Sequence, residues 1–420
     1  MAERLASIEA PFVSARRDAR ARDSARDQTP IVYASAQGAN VTDVDGNRYV
    51  DLAAGFGALL LGHAPAQVAR AVEAQLGRLW LALGDVFPSD IKLSLCERLC
   101  RWLPGPGDAS RVLLGSSGAD AVTAAMKTAA LATGRPGIVA FEGGYHGLSH
   151  GPLAACGLFR AFREPFAEQL NPHVTFAPYP RDGASLDGSI DAVKRGLARE
   201  DVGAVLVEPI LGRGGCVVPP PGFLAAIRAA CDEKGALLVA DEIWTGLGRS
   251  GALLASIEAG VRPDIVCLGK GLGSGLPISA CIGSARVMAA WAEHGGATIH
   301  TATHFGAPLA CAAALASLDA LETGDLAARA RRVGDAWMAL LRETTRGRGV
   351  LEVRGRGLMV GLPIEGGSRR AVVVVRRLLE RGWIVLTGGS AGEVLTLTPP
   401  LDIDERLLEA FADALSACLS

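Results

Sequence analysis

Residues 262–280 read RPDIVCLGKGLGSGLPISA, an apolar run that ends in Lys270, a lysine wedged between Gly269 and Gly271. Continuous rather than alternating hydrophobicity is what a parallel strand covered on both faces shows. The same signature recurs in RVLLG (from Arg111), GIVAF (from Gly137), GAVLVEP (from Gly203) and GALLVADE (from Gly235). Helical patterns such as ADAVTAAMKTAALATG and PGFLAAIRAACDEKG lie between them, each closed by a glycine. The alternation predicts an α/β fold with a mostly parallel sheet covered by helices. Such sheets bind ligands beyond the carboxyl ends of their strands. These five runs end in Ser116-Ser117-Gly118, Glu142 to His146, Glu208, Asp241 and Lys270, so a single rim is expected to gather the chemistry.

The chain has 420 residues, 49% of them hydrophobic, with a mean hydropathy of +0.27. That length predicts a large domain with a smaller lobe. ANVTDVDGNRYVDLAAGFG has hairpin character, with Asp45-Gly46 as its turn. After a long helical stretch from about Ala310, the segments LEVRGRGLMVGLPIE, WIVLTGG and VLTLTPPL read as strands. The expected division is residues 1–64 as an N-terminal contribution to the small domain, 65–310 as the large domain and 311–420 as the C-terminal small domain.

A net charge of −2 gives no basic field for nucleic acid. No apolar run reaches the roughly 18 residues of a membrane span. The arginine-rich opening carries Glu3, Glu9, Asp18 and Asp23, unlike an acid-poor transit peptide. Nine scattered cysteines and the lack of an opening secretory segment are read as a reduced, cytoplasmic protein.

Only five basic residues are lysines, and the other 37 of the 42 are arginines. A lysine in a buried setting then points to chemistry a guanidinium cannot perform, since an amine can lose its proton and form a Schiff base. A loop lysine making a salt bridge is the plainer alternative. Asp241, ending ALLVAD, suits a protonated pyridine nitrogen such as that of pyridoxal phosphate, or else caps the helix that follows. GSSGADAV follows one strand and opens a helix, so Ser117, Gly118 and Ala119 either offer amides to a phosphate or form an ordinary N-cap. Neither a Walker pattern nor G-x-G-x-x-G is present. Beside them, Tyr145 could stack on a flat ring and is followed by His146, or it is a turn aromatic. HTATH (His300 to His304) lacks the zincin glutamate, and Cys96 and Cys100 have no second ligand pair, so no metal is expected.

The ordered segments GSSGADAVTAAMKTAALATGR, FEGGYHG, VEPILGRGG, VADEIWTGLGRSG, RPDIVCLGKGLGSGLPISA and THFGAPLACAAALASL resemble those of the class III aminotransferases. These are pyridoxal-phosphate enzymes of fold type I, like aspartate aminotransferase, and they include ornithine, 4-aminobutyrate and ω-amine transaminases. The resemblance implies that Lys270 forms the Schiff base and shuttles the proton, with Asp241 on the pyridine nitrogen. It implies that Ile243 and Tyr145 flank the ring, that Glu208 lies near the cofactor, and that Ser117, Gly118 and Ala119 hold the phosphate. It further implies a homodimer in which Thr303 reaches the partner's phosphate site, although THFGAP departs from the family pattern at His304 and Ala307. Members acting on α-amino acids commonly carry an arginine where this chain has Thr396 and a glutamate where it has Arg213. Arg213 and Thr396 are therefore the expected substrate residues. The donor expected is an amine, an ω-amino compound or an unusual amino acid, with a keto acid or aldehyde as acceptor. A racemase, decarboxylase or aminomutase on the same scaffold is the alternative, and a non-enzymatic binder is disfavoured by the presence of both Lys270 and Asp241.

Overall fold

Seven strands form the central sheet: β1 (Ser110–Gly115), β2 (Gly137–Phe141), β3 (Val174–Ala177), β4 (Val202–Val207), β5 (Leu237–Asp241), β6 (Ile265–Leu268) and β7 (Ser279–Ser284). The computed structural model describes residues 1–24, 28–103, 109–293 and 296–419. Across the sheet the order is β1-β7-β6-β5-β4-β2-β3. The block from β6 to β3 is parallel, whereas β7 runs antiparallel to both β6 and β1. All five apolar runs are strands, but RVLLG meets the parallel block only through β7. Two strands carried no clear signal: β3 is short, and β7 reads SACIGS, small residues that fill a fully buried strand.

Successive side chains of β2 serve opposite faces. Ile138 and Ala140 pack with Ala121, Val122 and Ala125 of the helix Gly118–Thr133. Val139 and Phe141 pack with Ile190, Val193 and Ile227 from the helices Gly183–Leu197 and Phe223–Lys234. With both faces covered, an acid or amine has a way out of the sheet only at a strand end. Val207 aligns with Ala240 and Asp241 with Cys267, so Glu208, Asp241 and Lys270 leave the sheet along one rim.

Two four-stranded sheets lie outside the central one. Asn40–Asp43 and Arg48–Asp51 form the expected hairpin, with Gly46 at a φ of 86° that favours glycine. The Asp43 carboxylate accepts from the amides of Asp45 and Asn47 and from Asn47 Nδ2 and Tyr49 Oη, which pins the turn. WIVLTGG divides between the two sheets. Trp383–Ile384 pairs with Arg48–Asp51, while Leu386–Gly388 pairs with Val394–Leu397. The long helical stretch likewise divides, into Pro308–Thr323 and Leu326–Thr344, with Asp325 at φ 43° between them. One core cluster runs from Val266, Leu268 and Ile282 of the central sheet to Leu362, Leu397 and Phe411 near the C-terminus. Arg249 spans the same joint: its buried Nη1 donates to the carbonyls of Leu358 and Pro399. Among the described residues, no helix is long and apolar enough to cross a membrane.

Candidate active site

Asp241 ends β5, and its carboxylate is fixed from two sides. Oδ2 lies 2.7 Å from His146 Nδ1, and Oδ1 accepts from the Ile243 amide at 3.1 Å. Burial pushes the His146 pKa down, but the hydrogen bond and charge of Asp241, with the charge of Glu208, outweigh it, so the net shift is upward. Nδ1–H therefore donates to Asp241, and among the described residues His146 Nε2 is left buried without a partner. The neighbouring Glu242 carboxylate accepts from Thr245 Oγ1 and from the amide and hydroxyl of Ser256. Glu242 thus holds the turn, leaving Asp241 for the rim.

Glu208 is the brace between two loops. Its Oε1 accepts from the Tyr145 amide at 2.8 Å and its Oε2 from the Gly212 amide at 2.9 Å. Burial raises its pKa to about 7, opposed by the charge of His146 and the two amides.

Lys270 follows β6 with φ at 32°, a left-handed conformation that costs a side-chain-bearing residue energy and is typically kept where function over-determines it. Its Nζ sits 4.4 Å from the centre of the Trp244 ring. Burial lowers its pKa to about 8, against the charges of Asp241 and Glu208 that raise it, while Arg213 lowers it further. With its pKa brought near 8, a much larger share of this amine is neutral at physiological pH than of an ordinary lysine, which favours Schiff-base chemistry.

Gly118 and Ala119 open the helix that follows β1, and as its first residues their amides have no acceptor within it. The Ser117 amide is committed to Asp120 Oδ2 and its Oγ accepts from the Asp120 amide, a capping box. An anion at this helix end would therefore meet the amides of Gly118 and Ala119 and the Ser117 hydroxyl. Ile243 walls the same space. A Cβ on Gly118 would lie 2.9 Å from its Cδ1, so a side chain there would force Ile243 to move, and one on Gly269 would lie 3.3 Å from its Cγ2, a tight contact that Ile243 would have to ease by a few tenths of an ångström.

Tyr145 offers one ring face to Arg213, whose guanidinium carbon is 4.6 Å away. Arg213 shares a small cavity with Trp244 and the buried Thr396. Thr303 stands apart, exposed in a separate cavity with Leu83, Val86 and Lys92. The structure thus gathers Asp241, His146, Glu208, Tyr145, Ile243, Lys270, Arg213 and the helix end at 117–119, with Thr396 at the cavity beside them, but it does not bring Thr303 to them.

Sequence reasoning missed Trp244. The indole is slotted between two glycines: a Cβ on Gly57 would fall 2.5 Å from its Nε1, and one on Gly212 would clash with its ring. A tryptophan in a turn carries no periodicity, and its two glycine neighbours are 187 and 32 positions away in the chain.

A site with a carboxylate braced by a histidine, a lowered-pKa amine, an apolar side chain beside a flat space and free amides at a helix end suits an aromatic aldehyde phosphate. The model of the aminotransferase class-III family matches residues 21–419. The chain is 35% identical over 404 residues to a 5-aminovalerate aminotransferase of Pseudomonas aeruginosa, covering 93% of each. It is 39% identical to an acetylornithine aminotransferase of Methanopyrus kandleri, over 92% of this chain and 95% of that one. Among solved structures, an amine transaminase from an uncultivated Pseudomonas species, in a pyridoxal-phosphate-bound form, aligns with a TM-score of 0.86 at 31% identity, over 93% and 95% of the two chains.

Proposed function

The chain belongs to the class-III aminotransferases and is a pyridoxal-phosphate-dependent aminotransferase of fold type I, and from that premise we propose that Lys270, Asp241 and their neighbours run the transfer of an amino group from an amine or ω-amino compound to a keto acid or aldehyde. The observation carrying this reading is the Lys270 amine, lowered to about 8 at the rim that also holds the His146–Asp241 pair.

When bound, pyridoxal phosphate supplies an aldehyde that carries the amino group and a protonated ring that withdraws electrons. Asp241 holds the proton on the ring nitrogen, and His146 fixes the orientation of that carboxylate. Gly118 and Ala119 amides and the Ser117 hydroxyl receive the phosphate at the positive helix end. Ile243 and Tyr145 would hold the ring between them. Glu208 acts as a positioning residue, keeping the Tyr145 and Gly212 loops together. Lys270 Nζ, as a neutral amine, would take the proton from the substrate carbon that bears nitrogen and deliver it to the cofactor carbon that supplied the aldehyde, so that the nitrogen stays with the cofactor.

The substrate range rests on the relatives named 5-aminovalerate, acetylornithine and amine transaminases. All of these names are compatible with an amino group remote from an α-carboxylate, which agrees with the absence of an arginine at Thr396. We also propose a homodimer. Trp80, Leu83, Val86 and Phe87 are all more than 60% exposed, around the cavity that holds Thr303. An apolar patch of this kind marks a protein interface, and a second copy would bury it and bring Thr303 to the neighbouring site. The nine unpaired cysteines suit a reducing, cytoplasmic setting.

A half-reaction tests the function. Holoenzyme mixed with donor alone should release one equivalent of aldehyde or keto product per site and retain the nitrogen until pyruvate or 2-oxoglutarate is added. Turnover of a donor with no acceptor requirement would favour the racemase, decarboxylase or aminomutase reading instead.

A further inference from the structure

A second cavity, of about 490 Å³, lies where the helix Phe12–Ser24 packs against the helix Gly367–Glu380. Three arginines line it, Arg20 and Arg22 from the first helix and Arg369 from the second. Among the described residues no acid lines it, and neither Arg22 nor Arg369 has a carboxylate partner. Two acids on the adjoining turns are engaged elsewhere: Glu365 faces Arg370 at 3.8 Å, and Glu393 Oε2 accepts from the Ala391 amide at 2.8 Å. Arg20 gives one N–H to Thr387 Oγ1 at 3.0 Å. Burial and the charge of Arg16 push the Arg20 pKa down, the direction expected in a cationic cluster that no acid balances.

The three guanidiniums carry the site, and the second helix adds to it. Its cap is Gly366, which has no side chain to bond the first turn. The amides of Ser368 and Arg369 therefore have no acceptor within the helix, and the Ser368 hydroxyl lines the cavity with them. A carboxylate has two oxygens and is matched by a single guanidinium fork. A phosphate monoester brings three terminal oxygens and close to two negative charges, enough to meet several forks at once. The volume exceeds that of a bare phosphate and falls among small-molecule sites, so the ligand carries an organic part. We propose that this cavity binds the phosphate of a small phosphomonoester, outside the cofactor's own phosphate site, and that Thr387 couples it to catalysis. Thr387 accepts from Arg20 and also lines the cavity that holds Arg213 and Trp244. The phosphate belongs either to a substrate whose amine reaches Lys270 or to a separate effector. Binding stands without the aminotransferase reading, whereas the coupling rests on it.

Calorimetry of the holoenzyme with ethyl phosphate tests binding without turnover, since the cofactor fills its own phosphate site. In phosphate-free buffer at about 0.15 M salt, where loose surface attraction is screened, the parent should show one saturable site per chain. Arg22→Ala and Arg369→Ala should each weaken it about 10-fold or more, the range for losing a charge-assisted hydrogen bond, and Arg369→Lys should recover part of the loss. Both arginines are exposed, and a thermal melt of each variant checks that the fold is kept. No saturable binding in the parent, or binding unchanged by both alanine variants, overturns the site. Propionate binding as tightly as ethyl phosphate overturns the phosphate class and leaves a general basic patch. Single-turnover half-reactions then identify the source. If the phosphate rides on the substrate, aminoalkyl phosphates should react faster than the matching alkylamines, and Arg369→Ala should remove the difference. If it belongs to an effector, ethyl phosphate should change the rate for an alkylamine in the parent and not in Arg369→Ala. No effect in either arm overturns the coupling through Thr387. A parent holoenzyme that releases no product from any amine overturns the aminotransferase reading and the coupling with it, and the calorimetric result then decides the site alone.

Discussion

His146 Nδ1 and Asp241 Oδ2 are 2.7 Å apart, both side chains buried; His146 sits in the loop that leaves β2 and Asp241 is the last residue of β5, strands separated by β4 in the sheet. The pair converts a carboxylate with rotational freedom into one with a fixed direction. Asp241→Asn keeps the shape but cannot hold a ring proton. It should lower kcat by roughly 10²–10³-fold, about 2.7–4 kcal/mol of lost electrostatic stabilisation. Steady-state kinetics beside a thermal melt separates this from unfolding. Near-normal turnover in the variant would reduce Asp241 to a structural cap.

Lys270 makes a chemical prediction that does not need the substrate. Borohydride treatment of the yellow holoenzyme should leave the mass of the reduced cofactor on the peptide containing Lys270. Lys270→Ala should retain some cofactor, held non-covalently through its phosphate, and lose turnover. Finding the label on Lys92, Lys127, Lys194 or Lys234 would sink the assignment.

The pH dependence of cofactor capture follows from the same residue. Burial brings the Lys270 pKa from 10.5 down to about 8. The free amine is the reactive form, so the rate at which the cofactor-free protein captures pyridoxal phosphate should rise through a step near pH 8. The stability contribution has a definite sign. Between about pH 8 and 10.5 the unfolded chain keeps this proton and the folded chain has lost it, so the folded state gains stability as pH rises through that window. Stopped-flow absorbance across pH checks the step, and a rise only above pH 10 would contradict it.

Much of this site was legible because covered parallel strands are written as unbroken apolar runs, against which Glu208, Asp241 and Lys270 stand out. The His146–Asp241 contact was not legible, since it spans 95 positions and depends on a strand order that no local pattern records. The commitment of the Ser117 amide to Asp120 was also hidden, because the residues of a capping box and of a phosphate site are the same types at the same spacing. β7 escaped for a different reason: alanine, cysteine, glycine and serine pack well in a crowded sheet but carry little β signal of their own.

The glycine slot around Trp244 predicts a suppressible defect. Gly212→Ala would place a methyl 2.4 Å from Trp244 Cε3, well inside any real contact, so the indole must move. Overpacking of this kind typically costs about 1–3 kcal/mol. The variant should melt lower and turn over more slowly, and Trp244→Leu in the same chain should restore much of the stability. Additive losses in the double variant would show that the indole is not what the methyl meets.

Thr303 is exposed and lies away from Lys270 within its own chain, so its proposed role must be exercised across a dimer. Thr303→Ala should weaken cofactor binding and lower activity at limiting cofactor, while Lys270→Ala should be inactive at any concentration. Co-refolding the two variants gives a direct answer from counting sites. In a mixed dimer, the Thr303→Ala subunit keeps its own lysine and receives an intact threonine from the Lys270→Ala subunit, so one site per mixed dimer is complete. Activity at limiting cofactor should then exceed the sum of the two variants refolded separately. If Thr303 served its own subunit, the only lysine-bearing site would still lack its threonine, and mixing would give no gain. Trp80→Glu supplies the companion measurement. A charge in the exposed apolar patch should shift the protein toward the monomer in light scattering and raise the cofactor requirement together with it. A fully active monomer would remove both the interface and the trans role of Thr303.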